Sequence, residues 1–152
     1  MPEHILSGIK AIVAIKMRKE GKLQREIAEY LKMERSIISH YIHGRYPSEK
    51  VMKVSEEIIN LPAKYGIRLI DSLSDDKEIT KKLIKSIYNI KIEVEDDKCI
   101  ACGKCLECKY NAISADPNSV RVIIDQDKCV LCGKCIFRCP MNAFKTAEST
   151  GL

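Results

Sequence analysis

Tryptophan is absent and only two phenylalanines occur among 152 residues, so isoleucine and leucine must fill any core. No apolar run approaches the roughly 18 residues that a membrane-spanning helix needs. The opening Met1-Pro2-Glu3-His4 has no signal-peptide pattern, so a cytoplasmic location and no membrane association are expected. There is no Walker lysine loop, no Rossmann glycine run and no nucleophile–base pair at a supporting spacing, so no enzyme activity is expected. Cysteine is absent from residues 1–98 and 140–152.

All eight cysteines therefore lie between positions 99 and 139. They form two near-copies, Cys99-Ile-Ala-Cys102-Gly-Lys-Cys105-Leu-Glu-Cys108 and Cys129-Val-Leu-Cys132-Gly-Lys-Cys135-Ile-Phe-Arg-Cys139-Pro140. Three thiolates two residues apart can converge on one metal centre through a short turn. Structural zinc sites use separated C-x2-C pairs, which this run is not. A disulfide framework needs an oxidising compartment. The second copy resembles the bacterial ferredoxin run C-x2-C-x2-C-x3-C-P, which wraps a cubane iron–sulfur cluster. The resemblance covers about 92–147 and implies two [4Fe-4S] clusters, because the last cysteine of each run ligates the other cluster in such proteins. Carried over residue by residue, Cys99, Cys102, Cys105 and Cys139 hold cluster 1, and Cys129, Cys132, Cys135 and Cys108 hold cluster 2. The first run departs from the pattern, with two residues between Cys105 and Cys108 and Lys109 in place of the proline. This puts the reach of Cys108 in question and predicts that cluster 2 is the more easily lost.

The rest of the chain has helical periodicity. Helices are predicted over 5–20, 24–31, 35–43, 49–60 and 63–72, with a last one opening at Ser74 and running to about Tyr88. Gly21, Gly44 and Pro62 break them, and Ser48 caps the fourth. The period then changes to two at Ile90, Ile92 and Val94, and again over 120–124, which predicts strands. The expected fold class is α+β: an all-α unit at 1–60, a helical connector and possible dimerisation region at 61–91, and a small βαβ-repeat cluster domain at 92–152.

The segment Gln24–His43 resembles the helix-turn-helix of phage-repressor/Cro-type proteins, in its archaeal branch. Ala28 stands where the helices cross, and Ile27, Leu31, Met33, Ile38 and Tyr41 occupy the apolar positions that the motif buries. Lys32 departs from the usual turn glycine, placing a left-handed residue there at about 1 kcal/mol. The resemblance implies that helix 35–43 enters the major groove of double-stranded DNA. Arg35, Ser36, Ser39, His40 and His43 then face bases, while Lys22, Gln24, Arg25 and Arg45 are candidate phosphate contacts. His40 and His43, at i and i+3, are read as groove or solvent residues rather than metal ligands.

Residues 1–60 carry 11 Lys+Arg against 8 Asp+Glu, residues 61–91 carry 7 against 4, and residues 92–152 carry 8 against 9. A basic helical half beside a cluster-bearing acidic half suggests a polyanion partner. The favoured reading is an iron–sulfur transcriptional regulator, binding a near-palindromic operator as a homodimer and sensing redox state, oxygen or iron. One alternative is a low-potential electron carrier whose helical half docks it to a redox partner protein. Another is a nucleic-acid-processing subunit that uses its clusters structurally.

Overall fold

The computed structural model describes residues 2–45, 47–119 and 121–148. Six helices come first: α1 (Pro2–Lys19), α2 (Gln24–Leu31), α3 (Arg35–Ile42), α4 (Glu49–Ile59), α5 (Ala63–Ser72) and α6 (Lys77–Tyr88). Strand β1 (Ile90–Val94) leads into a 3-10 helix (Lys104–Glu107) and β2 (Ile113–Ala115). Strand β3 (Val122–Ile124), α7 (Lys134–Arg138) and β4 (Phe144–Glu148) complete the fold.

Local chemistry sets the helix ends. α1 stops at Gly21, whose φ of +92° an L side chain resists. The Ser48 hydroxyl accepts from the Val51 amide and caps α4, as the sequence predicts. α6 is capped by Asp76, not Ser74. The Asp76 carboxylate accepts from Ile79 N, while the Ser74 hydroxyl accepts from Asp76 N one step earlier. Lys32 does take the left-handed conformation, at φ +52° and ψ +48°. Its ammonium lies 2.9 Å from Glu78, an exposed pair that water and salt screen.

Ile9, Val13, Ile27, Leu31 and Ile38 are fully buried where α1, α2 and α3 cross. Ala28 and Tyr41 are buried beside them, and Met33 is half-buried. Residues 61–91 do more than connect. Ile67 and Ile70 of α5 and Leu83 and Ile84 of α6 are fully buried within this same chain. α6 packs on α1 and α2 on one side and on β1 on the other. Its Tyr88 hydroxyl donates to Ile58 O, and Gly66 leaves the room this ring occupies.

The expected βαβ repeats pair with each other rather than within themselves. β1 lies antiparallel to β4, with Ile92 opposite Thr146, and β2 lies antiparallel to β3, with Ser114 opposite Ile123. Within each copy the cysteine turn separates the two strands, and both strands take their ladder hydrogen bonds from the other copy. The predicted strand over 120–124 is narrower than expected, and Val120 lies outside the described residues.

Candidate metal centre

Each cysteine run wraps a turn built from the same backbone states. Ala101 and Leu131 have φ of +54° and +58°, Gly103 and Gly133 have +80° and +76°, and Asn111 and Asn142 have +54° and +51°. Asparagine tolerates this region better than most residues, which accounts for the Asn-Ala pair in both copies. The Ala112 carbonyl accepts from Asp125 N at 2.7 Å, and the Ala143 carbonyl accepts from Glu95 N at 2.6 Å. Each copy thus closes on the segment leading into the other.

The missing residue of the first run is absorbed by a change of helix type. Cys139 N donates to Cys135 O at 3.1 Å, an i to i−4 bond at the end of α7. Cys108 N donates to Cys105 O at 3.2 Å, an i to i−3 bond at the end of the 3-10 helix. Both cysteines follow their helix at ψ 119°. Cys108 therefore reaches the same relative position one residue sooner, and the spacing does not misplace it.

Two cavities lie inside the turns. The larger, of about 70 Å³, is lined by Cys105, Cys108, Cys129, Cys132 and Cys135, with Ile92, Ile113 and Ile124 as apolar wall. The smaller, of about 20 Å³, is lined by Cys99, Cys102, Cys105 and Cys139. The two linings include the quartets implied by the ferredoxin resemblance, with Cys105 common to both. Burial pushes the Cys105 thiol up, and the nearby Cys102, Cys99 and Cys139 add to the effect. The Cys135 thiol is pushed up to about 12 by burial first, then by Cys129, Cys132 and Cys108. Such crowded thiols ionise together only against a strong positive charge, which is what iron supplies. Among the described residues, no three or more His, Cys, Asp or Glu side chains gather tightly enough for a single ion. The eight cysteines lining these two largely apolar cavities fit iron–sulfur ligation. Ala143 N donates to Cys139 Sγ at 3.4 Å, a contact of the kind that tunes cluster potential.

The surroundings of the two sites differ. Cys102, Ile100 and Ala101 are exposed, whereas Leu131 is 2% exposed and Gly133 is buried. α5 covers the second turn. A Cβ on Gly133 would lie 2.7 Å from Ile67, and Arg68 Nη1 donates to Cys132 O at 2.9 Å. From α6, the Lys81 ammonium donates to the carbonyls of Gln126 and Asp127, just ahead of Cys129. Sequence reasoning singled out none of these helical residues. Only the close approach required by Gly133 leaves a mark in the sequence, and a glycine there has a second explanation in its φ.

The other candidate residues lie apart from the cysteines. Lys22, Arg25, Arg35, Ser36, His40, His43 and Arg45 are exposed, and Gln24 and Ser39 are half-buried. Gln24, Arg25 and Arg35 line a shallow cleft with Arg18 and Leu23. Arg18 was not among the sequence candidates. The His43 ring lies 2.7 Å from Ser39 O, which turns that ring back onto its own helix. No helix among the described residues is long and apolar enough to cross a membrane.

The family model for a 4Fe-4S binding domain matches residues 122–145. The ferredoxin-type protein FwdE of Methanocaldococcus jannaschii is 54% identical over 145 residues, covering 95% of this chain and 97% of that protein. No solved structure matches the chain. The match to FwdE runs through the helices as well as the cysteine turns, and the chain belongs to this ferredoxin-type, 4Fe-4S-binding family.

Proposed function

We propose that the protein is a low-potential electron carrier holding two [4Fe-4S] clusters, with a helical half that helps seat it on a redox partner protein. The observation that carries this reading is the pair of cavities, one lined by Cys99, Cys102, Cys105 and Cys139 and the other by Cys108, Cys129, Cys132 and Cys135 with Cys105 shared, so that each takes in a cysteine from the other run. Cys99, Cys102, Cys105 and Cys139 hold cluster 1. Cys108, Cys129, Cys132 and Cys135 hold cluster 2. The clusters supply reversible one-electron chemistry, while the chain sets their spacing, solvent access and local charge. The relative's description as a ferredoxin-type protein points the same way.

A docking face lies beside the cysteines. Tyr65 and Leu69 of α5 and Phe137 of α7 are exposed, and the two rings stand 5.8 Å apart. Phe137 lies between Cys135 and Cys139, one ligand of each quartet. Lys64 sits over the Tyr65 ring, Arg68 lines the same dish, and Arg138 follows Phe137. An apolar centre with a basic rim fits a partner that presents an apolar knob among carboxylates. Anaerobically purified protein should contain close to eight irons and eight sulfides, and both clusters should reduce and reoxidise reversibly. Two zinc ions with no acid-labile sulfide would overturn the proposal.

The second reading is the DNA-binding regulator, acting as a homodimer on a near-palindromic operator. One observation favours it: α2 and α3 meet at buried Ala28 with a left-handed Lys32 between them, and the polar face of α3 stays exposed. Titration of operator-length duplexes with oxidised, reduced and cluster-free protein decides between the readings. If DNA binds, Arg35→Ala should cost about 1–3 kcal/mol at the preferred site. Absence of binding in all three states leaves the carrier alone.

A further inference from the structure

The helical half does more at cluster 2 than cover it. We infer that Arg68, locked by Asp71 and supported by Lys77 and Lys81, raises the reduction potential of the cluster held by Cys108, Cys129, Cys132 and Cys135 and leaves its neighbour untouched. This rests on the two-cluster reading above.

Arg68 lies along the cysteine turn, its Cδ 3.3 Å from where a Gly133 Cβ would stand. Its Nη1 donates to the Cys132 carbonyl at 2.9 Å and lies 3.4 Å from Asp71 Oδ2. The Asp71 side chain is 8% exposed, and Lys77 donates to its other oxygen at 2.9 Å. Lys77 also donates to the carbonyls of Asp71 and Ser74, so the arrangement is braced from three sides. Lys81, further along α6, donates to the Gln126 and Asp127 carbonyls, three and two residues ahead of Cys129. α5 and α6 thus bring three cations and one carboxylate to this turn. The corresponding point of the other copy, Cys102, is exposed.

Reduction adds one electron, and so one negative charge, to a cluster. A fixed cation beside it stabilises the reduced state more than the oxidised one. The Arg68 side chain is 35% exposed and that of Lys77 24%, so salt screens them less than free surface charges. Arg68 bonds the Cys132 carbonyl and not a cysteine sulfur. It is a positioning residue that acts through the Cys132 carbonyl and through its field.

The test is an anaerobic redox titration of the full chain, followed by electron paramagnetic resonance so that the two clusters are read separately. Arg68→Gln should lower the cluster 2 potential, with the reduced-to-oxidised ratio at fixed potential falling about tenfold, or about 59 mV. Cluster 1 should not move. Arg68→Lys keeps the charge and should recover most of the shift, which a purely structural role would not predict. Lys81→Gln should shift cluster 2 downward by less. If Arg68→Gln loses iron, Lys81→Gln carries the test. Unchanged potentials in variants that keep their iron overturn the inference, as do equal shifts of both clusters or loss of iron from both variants. A wild-type count near four irons is a different result, and overturns the two-cluster reading instead.

Discussion

The two cysteine units are copies in backbone and opposites in surroundings. Both place a left-handed residue before the second cysteine, a left-handed glycine before a short helix, and a left-handed asparagine after the last cysteine. Yet Ala101 of the first is exposed where Leu131 of the second is 2% exposed. The first unit faces solvent, while the second is roofed by α5 and α6. Duplication reproduces local geometry because that geometry is encoded by neighbouring residues. It does not reproduce environment, which depends on what else the chain packs against each copy. Two similar cysteine sites are thereby given different access to solvent and different local charge.

Removing the metal tests whether the clusters hold both units up. Strands of three to five residues bury too little to stand alone, so anaerobic chelation should unfold residues 90–148 while α1–α4 stay helical. Far-ultraviolet circular dichroism should keep most of its helical signal. Methyl resonances of Ile92 and Ile113 should collapse to unfolded positions. If they stay dispersed, the turns are held by packing and the clusters are guests.

Exposure to air tests the difference in cover. The Cys99–Cys102–Cys105–Cys139 cluster should be lost first, taking about half of the iron, because its turn is open to solvent. The shortened Cys105–Cys108 spacing by itself predicts the reverse order, but the 3-10 helix removes the strain behind that expectation. Iron release followed by paramagnetic resonance distinguishes the two orders, and simultaneous loss would erase the contrast.

The glycine pair sharpens the comparison further. Gly103→Ala meets only Leu106 at 3.8 Å, so its cost is the left-handed backbone, about 1–2 kcal/mol. Gly133→Ala adds a Cβ 2.7 Å from Ile67 and 3.3 Å from Arg68, a further overpacking cost of about 1–3 kcal/mol. Denaturant melts of the loaded protein should rank Gly133→Ala well below Gly103→Ala. Equal melts would mean that α5 does not press on this turn. At the small end, Asn111→Ala and Asn142→Ala should each cost about 1 kcal/mol and match one another, since both residues are left-handed and exposed. A clear inequality would show that even the shared backbone feels its surroundings.

Much of this fold was legible before any coordinates. α2 and α5 match their predicted spans because apolar residues at helical spacing are bounded by Gly21, Pro62 and the Lys32–Glu34 break. The start of α6 was misplaced by the choice of Ser74 as cap. Ser74 and Asp76 are both good caps, and only the geometry shows that the Asp76 carboxylate reaches Ile79 N. The 4Fe-4S character of the cysteine region was legible through the ferredoxin run, whose spacing is constrained by the shape of a cubane. The pairing of β1 with β4 was not, since strands this short carry too little pattern to specify a partner. Nor was the role of α5 and α6. An arginine in an amphipathic helix reads as a solvated side chain until its carbonyl partner, here Cys132, is known.

What the sequence determined alone is local and chemical. It set the helices through periodicity and capping, the cysteine turns through spacing and left-handed residues, and the class of cofactor through eight thiols in two runs. These follow from interactions among residues close in the chain. The tertiary structure alone decided that Cys108 reaches its quartet through an i to i−3 turn, and that Arg68, Lys77 and Lys81 gather beside one cysteine turn. It also decided that the other turn faces water. The Arg68 and Lys81 contacts join residues 45 to 64 positions apart, whose meeting depends on how α5 and α6, with buried Ile67, Ile70, Leu83 and Ile84, pack in the shared core. Burial of that apolar surface has no direction in sequence, and only the folded arrangement shows which faces it brings together.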